Sequence, residues 1–90
     1  MNYVVEWDQL PLDEVTVLWL AADTVGRKAI TQACDTVDQQ LSANPFANSE
    51  SRYNNRRITF VPPLVVIYRI ESDDRTVTVI DVRQIRRRKN

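Results

Sequence analysis

The residues of this chain with most chemical potential are its arginines. Residues 52 to 90 carry nine arginines and one lysine against four carboxylates, a surplus of +6. Residues 1 to 51 carry Arg27 and Lys28 against eight carboxylates, a balance of −6. The zero net charge of the whole chain hides that division. A guanidinium holds phosphate or carboxylate with paired hydrogen bonds but stays protonated at any usable pH. It therefore stabilises negative charge without moving protons. Charge divided in this way points to a polyanion or an acidic protein as partner; the plainer alternative is attraction between the two halves. The sequence has no histidine, which removes His triads, His general bases and most zinc sites. No spacing among the 12 carboxylates marks a metal loop, and no cofactor is expected. Among the aromatics, Tyr53 in an Asn-rich stretch is placed to stack on a base. Arg86-Arg87-Arg88-Lys89 forms a basic run that either contacts a target or is simply solvated.

The single cysteine, Cys34, excludes an internal disulfide and fits a reducing, cytoplasmic setting. It borders an apolar stripe and reads as a small buried hydrophobe. No basic n-region followed by an apolar stretch opens the chain, and the longest apolar run, Val17 to Ala22, is too short to span a bilayer. Ninety residues are expected to form one domain, 1–90, with a basic tail at 84–90.

Tyr3 to Trp7 alternates as a short strand, with Tyr3, Val5 and Trp7 on one face. A helix opens at Asp8-Gln9-Leu10-Pro11, where proline suits the first turn and Asp13 and Glu14 suit the dipole. Leu12, Val15, Leu18 or Trp19, and Ala22 recur at helical spacing; Thr16 to Leu20 is β-prone, so a strand is the alternative there. Thr24 is the expected N-cap of a second helix running to about Ser42, with Ile30, Ala33, Val37 and Leu41 as its buried stripe. Asn44-Pro45 ends it. Trp7 and Trp19 are assigned to the core. Residues 43 to 55 read as a loop anchored by Phe46.

Arg57 to Val61, Leu64 to Glu71 and Arg75 to Arg83 read as three strands, broken at Pro62-Pro63 and at Ser72-Asp73-Asp74. The expected class is α+β: an N-terminal strand, an antiparallel αα-hairpin and a three-stranded antiparallel meander (β-α-α-β-β-β), with the helices packed on one face. Strict alternation puts Val77, Val79, Asp81 and Arg83 on one face of the last strand. It puts Val65, Ile67 and Arg69 together on the middle strand, where Tyr68 is a packing residue; the plainer alternative for Arg69 is an ordinary cross-strand pair with Asp81. A sheet surface bearing Arg57, Arg69 and Arg83 would be an anion platform. Alternation alone does not say which face meets the helices.

This order and the motifs of the second half resemble the RelE/ParE superfamily of toxins of type II toxin–antitoxin (plasmid stabilisation) systems. The resemblance covers nearly the whole chain. Its residues are Tyr3-Val4-Val5-Glu6-Trp7-Asp8, Asn44-Pro45, Arg56-Arg57-Ile58-Thr59-Phe60, Val66-Ile67-Tyr68-Arg69-Ile70, Ser72-Asp73-Asp74 and Val77-Thr78-Val79-Ile80-Asp81-Val82-Arg83. Such a resemblance implies an acidic, partly disordered antitoxin as partner, a dimer or hetero-tetramer with it, and one of two targets. One branch cuts ribosome-bound messenger RNA; the other inhibits DNA gyrase without chemistry; an inactive relic that only binds an antitoxin is the third reading. In the ribonuclease branch Arg57 stands where the first of two lysines is common, Thr59 replaces the second, and Val65 falls at a frequent arginine. Arg83 or Arg86 matches the late-strand arginine. The resemblance thus makes Arg57, Arg83 and Arg86 the phosphate-clamp candidates, with Tyr53, Arg56, Arg69, Arg87 and Arg88 as target contacts. The charge-stabilising part of that machinery is kept and the lysine part is missing.

Overall fold

The structure, a computed structural model, describes residues 2–85. The elements run β1 (Val4–Trp7), α1 (Gln9–Ala21), α2 (Thr24–Ala43), β2 (Glu50–Arg52), β3 (Arg56–Val61), β4 (Leu64–Glu71) and β5 (Thr76–Gln84). The α+β class and the helical hairpin are as expected. The sheet differs: it has five strands in the order β1-β5-β4-β3-β2. β1 lies parallel to β5, so the sheet is mixed. β3, β4 and β5 form the expected antiparallel meander, and β2 adds an outer antiparallel strand to β3.

β2 lies inside the stretch read as a loop. Glu-Ser-Arg shows no apolar alternation because all three residues are exposed on an edge, where polar residues protect the strand from further pairing. The hairpin closes over Tyr53, Asn54 and Asn55. Both asparagines take positive φ (63 and 59°), a conformation that Asn tolerates better than most residues.

The second helix buries Ile30, Ala33, Val37 and Leu41, the stripe that its periodicity gives. Asp23, not Thr24, is its N-cap, accepting from the Gly26 amide at 2.7 Å. Asp23 takes the cap because the helix starts one residue earlier. A Cβ on Gly26, the chain's single glycine, would meet Ala22 Cβ at 3.0 Å in this tight connection. Arg27 completes the hairpin. Its Nε donates to Trp19 O at 2.9 Å and its Nη2 to Leu20 O at 3.2 Å, satisfying carbonyls that the end of α1 leaves open. The same guanidinium lies 4.3 Å from the Trp19 ring centroid. Trp19 is therefore a surface partner of Arg27 and not a core residue; Trp7 packs half-buried against the core.

α1 packs on β5, and α2 on β1 and β3. Trp7 Nε1 donates to Asp38 Oδ1 at 2.8 Å, and the Tyr3 amide donates to Ser42 O at 2.8 Å, so α2 is tied to β1 at both ends of the strand. The core joins the α2 stripe to Leu64, Val66, Tyr68, Val77, Val79 and Val82, all fully enclosed. Burying each such side chain contributes roughly 1.5–3 kcal/mol before entropy is counted. α1 buries only Pro11 completely; Leu10, Leu12, Val17 and Leu20 stay exposed.

The segment after α2 has little backbone pairing of its own, and side chains from the sheet supply it. Tyr68 OH donates to Pro45 O and Thr59 Oγ1 donates to Asn48 O at 3.0 Å. Arg57 donates from Nε to Ser49 Oγ at 2.8 Å and from Nη2 to Ser49 O at 3.2 Å. Pro45 is the buried anchor here. Phe46, expected in that role, is half exposed and lies under the Arg57 guanidinium. Tyr68→Phe should lower stability by roughly 1–3 kcal/mol, because it leaves a buried carbonyl without its donor. A thermal melt of the variant that matched the parent would remove this role.

Candidate functional site

Cross-strand register decides what the uncovered face of the sheet presents. Tyr68 and Val66 point to the helices, so Val65, Ile67 and Arg69 point away from them. Their partners Phe60, Ile58 and Arg56 on β3, and Arg52 and Glu50 on β2, share that open face. On β5 the pairing slips between Ile67 and Tyr68, where Ile80 is the extra residue. Such a bulge reverses the alternation. Val77 and Val79 face the helices before it and Val82 after it, which sends Asp81 and Arg83 to the open face. The expected grouping of Val77 and Val79 with Asp81 and Arg83 is therefore wrong, and the bulge is the reason.

The anion platform changes with it. Arg69 and Arg83 share the open face, but Arg57 pairs with Tyr68 and points to the helix side, where it holds the 46–49 segment. The cations on the open face of the strands are Arg52, Arg56, Arg69 and Arg83; the carboxylates are Glu6, Glu50, Glu71 and Asp81. Three ion pairs join them along single strands: Arg52–Glu50 at 2.9 Å, Arg69–Glu71 at 2.8 Å and Arg83–Asp81 at 3.2 Å. Arg69 thus does not pair with Asp81, because Glu71 is two residues away on the same strand and face. Each pair is solvent-exposed and contributes about 0–1 kcal/mol. What they do is neutralise most of the face.

One guanidinium on that face stands apart. Arg52, Arg56 and Arg69 are direct cross-strand neighbours on β2, β3 and β4. The outer two hold their own glutamates. Arg56, between them, makes no side-chain hydrogen bond or ion pair among the described residues. Beside it lies a cleft of about 250 Å³ lined by Arg52, Tyr53, Arg56, Ile58 and Ile67. Tyr53, at the tip of the β2–β3 hairpin, is 87% exposed. The centre of the face is apolar, with Phe60 more than half exposed and Val65 and Ile67 half-buried. A larger hollow of about 570 Å³ lies between α1 and the end of β5, lined by Leu10, Glu14, Leu18 and residues 81–84. Arg86, Arg87 and Arg88 lie outside the described residues.

Among the described residues, no cluster of His, Cys, Asp and Glu could hold a metal ion, and no helix is long and apolar enough to cross a membrane. Cys34 is half-buried between α1 and α2. Burial, then the negative charges of Asp38 and Asp35, push its thiol up to about 11 from 9.0. It is a poor nucleophile at neutral pH.

Solved structures resemble the whole arrangement. A chain of the RelBE2 toxin–antitoxin complex of Mycobacterium tuberculosis matches with a TM-score of 0.76 and 14% identity, over 93% of this chain and 99% of that one. A chain of the chromosomal ParDE system of P. aeruginosa matches with a TM-score of 0.73 and 13% identity, over 93% and 97%. The isolated E. coli RelE toxin matches with a TM-score of 0.60 and 18% identity, over 97% and 88%. The fold is that of the RelE/ParE toxins. No protein-family model matches the chain, and neither does any curated protein.

Within the RelE/ParE fold, the described positions matched from sequence to ribonuclease residues divide between two faces of the sheet: Val65 and its cross-strand partner Arg83 lie on the open face, and Arg57 and Thr59 on the other. Arg57 and Thr59 face the helices and are occupied by the 45–49 segment. Lys28 belongs to α2, so the described strands carry neither lysine nor histidine. The Arg52–Arg56–Arg69 row was missed as a unit in the sequence because it depends on β2. The paired motifs Glu-Ser-Arg and Asn-Asn-Arg-Arg, separated by a tyrosine, were its only signal.

Two measurements test these assignments. Arg57→Ala should lower the urea midpoint, at a cost of roughly 1.5–3 kcal/mol for a hydrogen-bonded charge, whereas Arg56→Thr should leave it unchanged or raise it, since like charges directly opposite are destabilising. Equal effects would remove the distinction between a segment-holding arginine and a free one. The Cys34 thiol keeps its proton in the folded chain after the unfolded chain has lost it. Its stabilising contribution is therefore complete below pH 9.0 and lost as pH rises toward about 11. Comparing the parent with Cys34→Ala across that interval should show the extra loss in the parent alone.

Proposed function

We propose that this protein is the growth-inhibiting member of a toxin–antitoxin pair and that it acts by docking on a protein target rather than by cutting RNA. The likeness of fold to chains of toxin–antitoxin complexes supports the first part. The observation that carries the second is the composition of the open sheet face among the described residues: apolar at its centre and neutral overall, with three of its four arginines paired. Nucleic-acid binding draws its affinity from runs of unpaired cations that displace counterions, whereas protein interfaces have an apolar core and a polar rim. Cleavage of RNA also needs a group to take the 2′-hydroxyl proton. Arginine is unsuited to that task, and lysine and histidine are missing from the described strands. An inhibitor of the gyrase type meets these conditions.

Action on ribosome-bound messenger is the second reading, favoured by the unpaired Arg56 beside the exposed Tyr53. The antitoxin would be an acidic segment that orders as it docks, and the lone cysteine suits a cytoplasmic setting. Controlled expression should arrest growth, and purified protein in excess should suppress supercoiling by gyrase without producing A-site cuts in a primer-extension assay. A-site cuts with unaffected gyrase would establish the second reading in its place. Expression without arrest would leave only an antitoxin-binding relic.

A further inference from the structure

The cleft beside Arg56 has the chemistry of a peptide site, and the inference drawn from it rests on the protein-docking reading above. Its floor is Ile58 and Ile67, its wall is Tyr53, and its charged rim is Arg52 and Arg56. At about 250 Å³ it is smaller than the roughly 300–1,000 Å³ of small-molecule sites and suits one inserted side chain. Of the two rim arginines, Arg52 is held by Glu50 at 2.9 Å. Arg56 has no charged partner among the described residues and lies between two further arginines whose proximity disfavours it. An incoming carboxylate would relieve that repulsion and form a charge-assisted pair.

The spacing of β3 fixes the pattern such a ligand needs. Arg56 and Ile58 are two residues apart on one face of the strand, a separation of roughly 6.6 Å. An extended peptide running along β3 has the same repeat, so an apolar residue and a carboxylate at positions i and i+2 reach the floor and Arg56 together. We propose that this cleft receives an extended acidic segment of a partner protein, with an apolar side chain seated against Ile58, Ile67 and Tyr53 and a carboxylate two residues away on Arg56. The charge of the face favours this occupant over a nucleic acid: among the described residues one uncompensated cation matches one carboxylate, whereas a phosphate backbone requires a series of them. Among the residues of the cleft, Arg56 sets the preference for an acid, while Ile58, Ile67 and Tyr53 set the preference for an apolar neighbour.

Binding of blocked octapeptides to the full chain, followed by backbone amide NMR, tests the assignment. Peptides carrying Phe-Ser-Glu or Glu-Ser-Phe should shift the amides of residues 52–58 and 67. The Phe-Ser-Gln and Gln-Ser-Phe counterparts should bind about tenfold more weakly, as expected for loss of a charge-assisted pair. Arg56→Thr, which does not threaten the fold, should abolish the Glu-over-Gln preference. Tyr53→Ala, in the exposed turn, should weaken both kinds of peptide and keep the preference. The proposal is overturned by equal binding of Glu and Gln peptides, by a preference that survives Arg56→Thr, by no shift at millimolar peptide, or by an eight-nucleotide oligouridine that shifts these amides at lower concentration than the peptides. The growth assay is independent: arrest without peptide binding removes the cleft and leaves the toxin reading, and peptide binding without arrest does the reverse.

Discussion

The whole arrangement depends on how the polar backbone of residues 45–49 is satisfied. A segment that crosses the helix-facing side of a sheet without a ladder of its own must find donors for its carbonyls. Tyr68, Thr59 and Arg57, all from the inward face of β3 and β4, supply them. These contacts fix the end of α2 against the sheet. β2 then returns along β3 in a register that places Arg52 beside Arg56. The cost is that an arginine whose position in the sequence suggested chemistry is committed to structure.

Two local features then determine the charge of the open face. The bulge at Ile80 turns Asp81 and Arg83 outward together, and the i, i+2 spacing of Glu50 with Arg52 and of Arg69 with Glu71 allows pairing along one strand. Residues 52–85 carry six arginines against four carboxylates, and their strands fold, with Glu6 and Glu50, into a sheet surface that is close to neutral; the rest of the basic excess belongs to residues 86–89. The excess positive charge of residues 52–85 is left chiefly on Arg56, on Arg57 beneath the sheet and on Arg75, which lies over the Tyr3 ring. Charge asymmetry in a sequence does not translate into an electrostatic patch until register is known.

Much of the fold was legible. The stripe Ile30–Ala33–Val37–Leu41 sits where helical periodicity puts it, because one element with one buried face has one solution. The packing role of Tyr68 follows from its place in an apolar strand, and the residue is fully enclosed. β2 was not legible, since three exposed polar residues on an edge carry no hydrophobic signal. The faces of β5 were misassigned beyond Val79, because a bulge shifts every later side chain and leaves no mark in an all-apolar run such as Val79-Ile80. Arg57 shows the same limit in the site: residue type gives its charge, but only register gives the side of the sheet it serves.

The parallel pairing of β1 with β5 joins Val4 to Thr76 and Trp7 to Val79. Chain closure over that separation has an entropic cost, and contacts so distant in sequence slow folding. The helical hairpin and the β3–β5 meander can assemble from local contacts, whereas the β1–β5 pairing and the packing of α1 on β5 join distant parts of the chain. Until these form, β5 offers a bare edge next to an incompletely covered helix, the kind of transient surface on which chaperones act and chains aggregate. The rate of that pairing would thus decide how long a nascent molecule remains vulnerable.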